Sequence, residues 1–323
     1  MKISYESLIF ESEATGFRPE ILEKVVYLIH LLNRFAEDAY LKNRFVLKGG
    51  TALNLFYFDY PRLSVDIDIN YIGSAERSIL LQEKADMEST IENILLDEGL
   101  KLQRKPDEHA GGKWSIRYPS ALQGQGIIEI DLNYLDRVPL WPIKHLHSFK
   151  LGSFEARNVP VQDIHELAAG KLRALFSRHS SRDLFDTHQL LTNPHIDIDK
   201  LRLGFILYGA ASRKDWRHIQ VSDIHFDWRE FQKMLIPLLR KADLLNRENP
   251  KKWAENIMNE SQVAAEKLLP LKKHELEFLN KLLMQGEIDI ALLTEDESLQ
   301  ANVLANPALL WKASHVKQFF QKG

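Results

Sequence analysis

Phe45-Val46-Leu47-Lys48-Gly49-Gly50-Thr51-Ala52-Leu53-Asn54-Leu55-Phe56, followed shortly by Ser64-Val65-Asp66-Ile67-Asp68-Ile69-Asn70-Tyr71, is the stretch on which the fold turns. Phe45-Val46-Leu47 is a short apolar, partly β-branched run of the kind that forms a buried strand, and Ala52 to Phe56 reads as the start of a helix. The glycines between them make a strand–turn–helix junction, where backbone N–H groups lack intrahelical partners and the helix dipole is positive. In Val65 to Tyr71 apolar and polar residues alternate, so Asp66 and Asp68 project from one face of a strand.

These parts suit one kind of chemistry. A glycine turn at a helix N-terminus holds phosphate, which makes Lys48, Gly49, Gly50 and Thr51 candidate nucleotide-binding residues, with the Thr51 hydroxyl close by. Two carboxylates two residues apart on one strand face repel unless a cation sits between them, and Mg²⁺, with its preference for oxygen ligands, waters and substrate phosphates, fits that place. Ile127-Ile128-Glu129-Ile130-Asp131-Leu132-Asn133-Tyr134 has the same period and sets Glu129 and Asp131 on one face. Paired beside the first strand, it supplies Asp131 as a third carboxylate, for a metal or as a general base. Arg62 and Ser64 precede the pair; Ser64 shares the parity of Asp66 and Asp68, and Arg62 is placed either to neutralise a phosphate or to pair with Asp59.

Each part also has a commonplace reading. Gly-Gly-Thr before a helix serves ordinary tight turns and caps, and Asp-x-Asp on a strand is often a solvated outer face. What separates this chain from those cases is the order: phosphate turn, carboxylate pair and later carboxylate, each on the element its chemistry requires.

With Lys48-Gly-Gly-Thr-Ala-Leu followed by Arg62-x-Ser64-x-Asp66-Ile67-Asp68, the chain resembles the AbiEii/AbiGii toxin family, a branch of the polymerase β-like nucleotidyltransferases. A second block carries the same resemblance: Glu166-Leu167-x-Ala169-x-Lys171-Leu172-x-Ala174-Leu175, then Arg178, then Arg182-Asp183-x-x-Asp186. The likeness runs over about residues 20 to 195. It implies a toxin-type enzyme of a toxin–antitoxin or phage-defence pair that transfers a nucleotide from an NTP with Mg²⁺, with the 3′ end of tRNA as acceptor. It implies that Gly50 and Thr51 hold phosphate, that Asp66 and Asp68 hold metal, with Asp131 matching by strand pattern, and that Lys171 and Asp183 help bind the nucleotide. A cognate antitoxin that acts without stable binding belongs to the same picture. The spacing from Thr51 to Asp66 exceeds that of the shortest signatures of the superfamily, adding a loop around Asp59-Tyr60-Pro61-Arg62.

Read on its own, Asp163-Ile164-His165-Glu166 is a variant capping box that opens a helix. Leu167, Leu172, Leu175 and Phe176 fall close to helical spacing and face inward, while Lys171 and Arg178 lie seven apart on one face. Lys171 is placed to meet phosphate or to pair with Glu166; Arg182, Asp183 and Asp186 are placed for a site or for helix-surface ion pairs.

Composition narrows the alternatives. The chain has 323 residues, 45% of them hydrophobic, enough for a large core and for two domains. Zero cysteines exclude disulfides, thiolate chemistry and cysteine-held zinc. Neither a signal-peptide stretch at Met1-Lys2-Ile3-Ser4-Tyr5-Glu6 nor a run near the ~20 residues of a membrane span is present, so a cytoplasmic enzyme is expected. A net charge of −3 excludes a basic nucleic-acid wrapper. Local clusters remain: Arg213-Lys214-Asp215-Trp216-Arg217-His218, and Arg240-Lys241 with Lys251-Lys252-Trp253, mix cations with aromatics in the manner of RNA phosphate and base contacts. The histidines, His145, His147 and His195 among them, show no metal-ligand spacing.

The expected organisation is an α/β (α+β) polymerase β-like nucleotidyltransferase core with a mixed sheet at 1–158, then a mainly helical domain at 159–323 that completes the active site. Within the core, the pattern predicts an amphipathic helix over 19–43, a helix over about 75–97, and strands over 100–104, 113–118 and 126–134. The prolines of Pro139-Leu140-Trp141-Pro142 mark a break. A small-molecule nucleotidyltransferase of the antibiotic-modifying type, or a binding protein without chemistry, would share this core.

Overall fold

The alternation from Val65 to Tyr71 becomes a strand whose Ile67 and Ile69 are buried while Asp66 and Asp68 stay partly accessible. The computed structural model describes residues 3–106, 110–245 and 249–321; Met1 and Lys2 of the N-terminal stretch lie outside them. Two compact units are present, one of Met1–Arg137, Ile143–Gln162 and Ile236–Glu248, the other of Val138–Pro142, Asp163–Leu235 and Asn249–Gly323.

The first unit opens with α1 (Tyr5–Thr15), capped by the Ser4 hydroxyl and ended by Gly16 in the left-handed region at φ 76°. Helix α2 (Pro19–Glu37) follows, with Leu22, Val25, Ile29, Leu32 and Phe35 buried along one stripe. It stops earlier than the expected residue 43. The Asp38 carboxylate accepts from the amides of Tyr40 at 2.9 Å and Leu41 at 2.8 Å, drawing the backbone into a separate 3₁₀ turn at Leu41–Asn43.

Strand β1 (Phe45–Lys48) leads into α3 (Gly49–Ala52), which runs on through a π turn at Leu53–Tyr57. Then come β2 (Asp66–Tyr71), α4 (Arg77–Asp97), β3 (Lys101–Arg104), β4 (Gly111–Pro119), β5 (Gln125–Asn133), β6 (Lys144–Leu146) and β7 (Val159–Val161). They form one seven-stranded mixed sheet in the order β3-β4-β5-β2-β1-β7-β6. Strands β2 and β5, and likewise β1 and β7, pair parallel, and the remaining neighbours pair antiparallel.

One face of this sheet is core. Ile67 and Ile69 of β2, Ile128, Ile130 and Leu132 of β5, and Trp114, Ile116 and Tyr118 of β4 are all buried, at about 1.5–3 kcal/mol of hydrophobic stabilisation for each large side chain. Helix α2 covers it, stacking Tyr27 on Tyr118 with ring centroids 4.3 Å apart. The α2 carboxylate of Glu23 is buried there too, and it is satisfied by the Ser120 hydroxyl at 2.7 Å and the Ala121 amide at 2.6 Å. Helix α4 adds a hydrogen bond from the Tyr134 hydroxyl to Glu88 at 3.2 Å.

The second unit is helical: α5 (Ile164–Arg178), α6 (Ser181–Leu191), α7 (Ile198–Ala210) and α8 (Trp228–Met234). Asp163 caps α5 as expected, accepting from the His165 amide at 2.9 Å. Glu166, 2% exposed, accepts from the Leu140 amide at 3.1 Å and from the Tyr208 hydroxyl at 2.9 Å. The chain then returns to the first unit with α9 (Lys241–Leu245), and the second resumes with α10 (Pro250–Ala265), α11 (Lys273–Gln285), α12 (Glu297–Leu304) and α13 (Pro307–Gln321).

Candidate active site

Register brings the sequence-predicted carboxylates together. The parallel pairing of β2 with β5 sets Asp66 opposite Glu129 and Asp68 opposite Asp131, so four carboxylates share one sheet face. On the other side of β2, Lys48 is opposite Asp68. All five side chains are intermediate in exposure, whereas the interleaved Leu47, Ile67, Ile69, Ile128, Ile130 and Leu132 are buried.

The glycine turn is fitted to this cluster. Gly49 lies at φ +72°, and a Cβ at that position would overlap the Asp68 carboxylate. Gly50 is buried, and its carbonyl accepts from the Asn54 side chain at 2.9 Å. Thr51 is fully buried, and its hydroxyl donates to the Asp66 backbone carbonyl, tying the turn to β2. Ser64 donates to Asp66 Oδ1 at 3.4 Å. Arg62 is only 2% exposed and donates to the Leu63 carbonyl at 2.9 Å, so its guanidinium belongs to the interior of the first unit.

Sequence reasoning missed a cation on this face. Lys113 of β4 stands opposite Asp131, and its ammonium lies 2.9 Å from Glu129 Oε2. Burial works against the Lys113 charge, but hydrogen-bonded Glu129, with Asp66 and Asp131 adding to it, outweighs that and holds the ammonium above its ordinary range. The alternation Lys113, Ser115, Arg117 was the available signal.

The carboxylates are suited to a magnesium–nucleotide complex. Among the described residues no three acidic, histidine or cysteine side chains converge into a preformed metal cage. Mg²⁺ does not need one, since it takes one or two protein carboxylates and completes its shell with waters and substrate phosphates. Asp66 and Asp68, side by side beneath a turn whose first amides lack helical partners, match that donor set.

In the second unit, Lys171 and Asp183 are joined, with Nζ 3.2 Å from Oδ1. Lys171 also meets Asp186 at 2.7 Å, and Arg178 grips Asp183 through Nε at 2.6 Å and Nη2 at 3.1 Å. Asp183 and Asp186 are each 1% exposed, so they are core residues clamping α5 to α6. Burial pushes the Asp183 carboxyl up, but the charges of Lys171 and Arg178 overcome it and hold the group below the usual carboxylate range.

The family model for the nucleotidyl transferase AbiEii toxins of type IV toxin–antitoxin systems matches residues 30–272. The chain belongs to the AbiEii family. It is accordingly a nucleotidyltransferase toxin of a type IV system. No curated protein matches the chain. Among solved structures it is similar to MenT4, a nucleotidyltransferase toxin from Mycobacterium tuberculosis H37Rv, with a TM-score of 0.64, 17% identity, and 96% of this chain and 99% of that one covered. At that identity the likeness speaks for the fold, and this AbiEii chain shares it. No helix among the described residues is long and apolar enough to cross a membrane.

The aromatic clusters need correction. Trp216, expected to stack on RNA bases, is 0% exposed and packs on Phe176 and Phe205 with ring centroids 5.6 and 5.1 Å away. Gly209 leaves the room its indole fills. Arg217 is held by Asp215 at 2.6 Å, and Lys214 by Asp223 at 3.1 Å. Trp253 likewise packs on Phe185 and Phe231. Trp216 is a core anchor here because burying its ring contributes more than exposing it for stacking, while Trp253 stays half-buried.

Proposed function

We propose that this AbiEii protein transfers a nucleotidyl group from an NTP to a hydroxyl of RNA, at the 3′ end of tRNA, in the cytoplasm, and that its antitoxin counters it without a stable complex. The observation that carries the chemistry is the β2/β5 register, which sets Asp66 and Asp68 beside Glu129 and Asp131 next to the Gly49–Gly50 turn. The RNA acceptor is supported by the family resemblance.

Asp66 and Asp68, with Asp131 beside them, would hold Mg²⁺, which when bound supplies charge neutralisation for the triphosphate. The amides of Gly49, Gly50 and Thr51 and the Lys48 ammonium hold the phosphates of the NTP at the head of α3. Thr51 and Ser64 fix the Asp66 strand against that turn, and Arg62 anchors the loop before it. Asp131 takes the proton from the acceptor hydroxyl, whose oxygen attacks the α-phosphorus. The bond from that phosphorus to the bridging oxygen breaks, and pyrophosphate leaves. Lys171 and Asp183 serve nucleotide binding indirectly, by fixing α5 against α6.

Incubating the protein with Mg²⁺, total bacterial RNA and each α-labelled NTP in turn tests this. Label should enter a discrete small RNA, and Asp68→Ala should abolish it. Label entering only a small molecule would establish the antibiotic-modifying type of acceptor in its place, and no incorporation at all would leave a binding protein.

A further inference from the structure

The sheet face that carries the carboxylates continues beyond β5. On β4, Lys113 stands opposite Asp131, Ser115 opposite Glu129 and Arg117 opposite Ile127; on β3, Lys101 stands opposite Arg117 and Arg104 opposite Ser115. Residues opposed on adjacent strands share a face. One continuous surface therefore runs from Asp66 and Asp68, through Glu129 and Asp131, to Arg117, Lys101 and Arg104. Its charge reverses sign across four strands, about 4.8 Å apart each.

Among the described residues the outer cations have no carboxylate partner. Lys101, Arg104 and Arg117 are exposed, and Arg117 donates to the Gln103 amide oxygen at 3.0 Å. Neighbouring cations are spoken for, Lys105 by Glu88 at 2.9 Å and Glu92 at 2.7 Å, Lys113 by Glu129. Holding three like charges on the edge strand β3 and its neighbour β4, with no counter-charge among the described residues, is unfavourable unless an anion compensates them. In a chain of net charge −3 it is also a local feature. The aromatics of β4, Trp114 and Tyr118, are buried on the opposite face, which leaves this surface without a base-stacking platform. Ile127, 42% exposed beside Arg117, is its apolar element.

We infer that the β4–β3 face is the track for the sugar–phosphate backbone of the acceptor RNA strand, which it leads to the Glu129 and Asp66 end of the carboxylate cluster. This rests on the RNA acceptor proposed above. Phosphate contacts without stacking give binding that positions the strand and is indifferent to its sequence. The Trp216 region, whose ring is buried, plays no part.

The test is binding of a 5′-fluorescein single-stranded RNA with a free 3′ hydroxyl, followed by anisotropy without NTP across roughly 50–200 mM salt. Lys101→Gln/Arg104→Gln/Arg117→Gln should keep the wild-type thermal midpoint and NTP affinity. Its slope of log affinity against log salt should be shallower by about two, and its affinity about 100-fold lower near ~0.1 M salt, as the loss of three phosphate contacts on a single strand requires. Lys251→Gln/Lys252→Gln should match wild type. Wild-type affinity and slope in the triple variant, an equal loss in the lysine pair, no RNA binding by wild type, or stronger competition by polyglutamate than by RNA would each overturn the track. Track-dependent RNA binding with no label entering any RNA of the total pool would support the track and overturn the acceptor reading of the reaction, so the two failures are distinguishable.

Discussion

Gly49 decides where the Asp68 carboxylate can sit. Its φ of +72° lies in the left-handed region, and any Cβ there would occupy the space of that carboxylate. Gly49→Ala should therefore abolish nucleotide transfer at a stability cost of only about 1–3 kcal/mol, seen as a near-native unfolding curve with no turnover. The glycine turn was legible in the sequence; its contact with Asp68 was not, because it depends on how two strands distant in sequence pair. Asp183 gives a second test at this scale. Its carboxyl is held below the usual range by Lys171 and Arg178, so the unfolded chain binds the proton more readily than the folded one. Its contribution to stability is complete above the ordinary carboxylate range, near ~4, and is lost as pH falls through the depressed folded value. Asp183→Asn should lower stability by about 3–5 kcal/mol at pH 7 and flatten the acid side of the stability–pH curve, measured by urea unfolding between about pH 3 and 7.

At the level of elements, the strands and helices that carry strong periodicity were readable from residues: β2, β4, β5, α4 and the Asp163 cap stand close to where the pattern puts them. The short strands β6 and β7 were not, since three residues carry no period, and Val159-Pro160-Val161 has a proline that argues against a strand. Trp216 shows the same limit. A cation–aromatic cluster is a local pattern, and burial in the second unit assigned the ring elsewhere. Trp216→Ala should accordingly cost about 3–5 kcal/mol of stability, while Trp216→Phe, which keeps most of the contact with Phe176 and Phe205, should bind RNA as wild type does. Loss of RNA affinity in the phenylalanine variant, with its melting temperature preserved, would return Trp216 to the RNA surface.

For the whole molecule, membership in a family of nucleotidyltransferase toxins makes growth the readout. Induced expression in bacteria should arrest growth, and Asp66→Ala or Asp68→Ala should each restore it with equal protein levels on a blot; arrest that persists in both variants would separate toxicity from the carboxylate site. A phosphate turn, alternating carboxylates and a core–helix order are written in local spacing, which the backbone converts directly into faces. Tertiary structure decided the partners. The β2/β5 register put Glu129 and Asp131 beside Asp66 and Asp68, and β4 and β3 extended that face into the cations Arg117, Lys101 and Arg104. Burial turned Lys171, Asp183 and Asp186 into an internal clamp. Strand register and burial are set by the summed packing of residues far apart in the chain, and no local pattern encodes that sum.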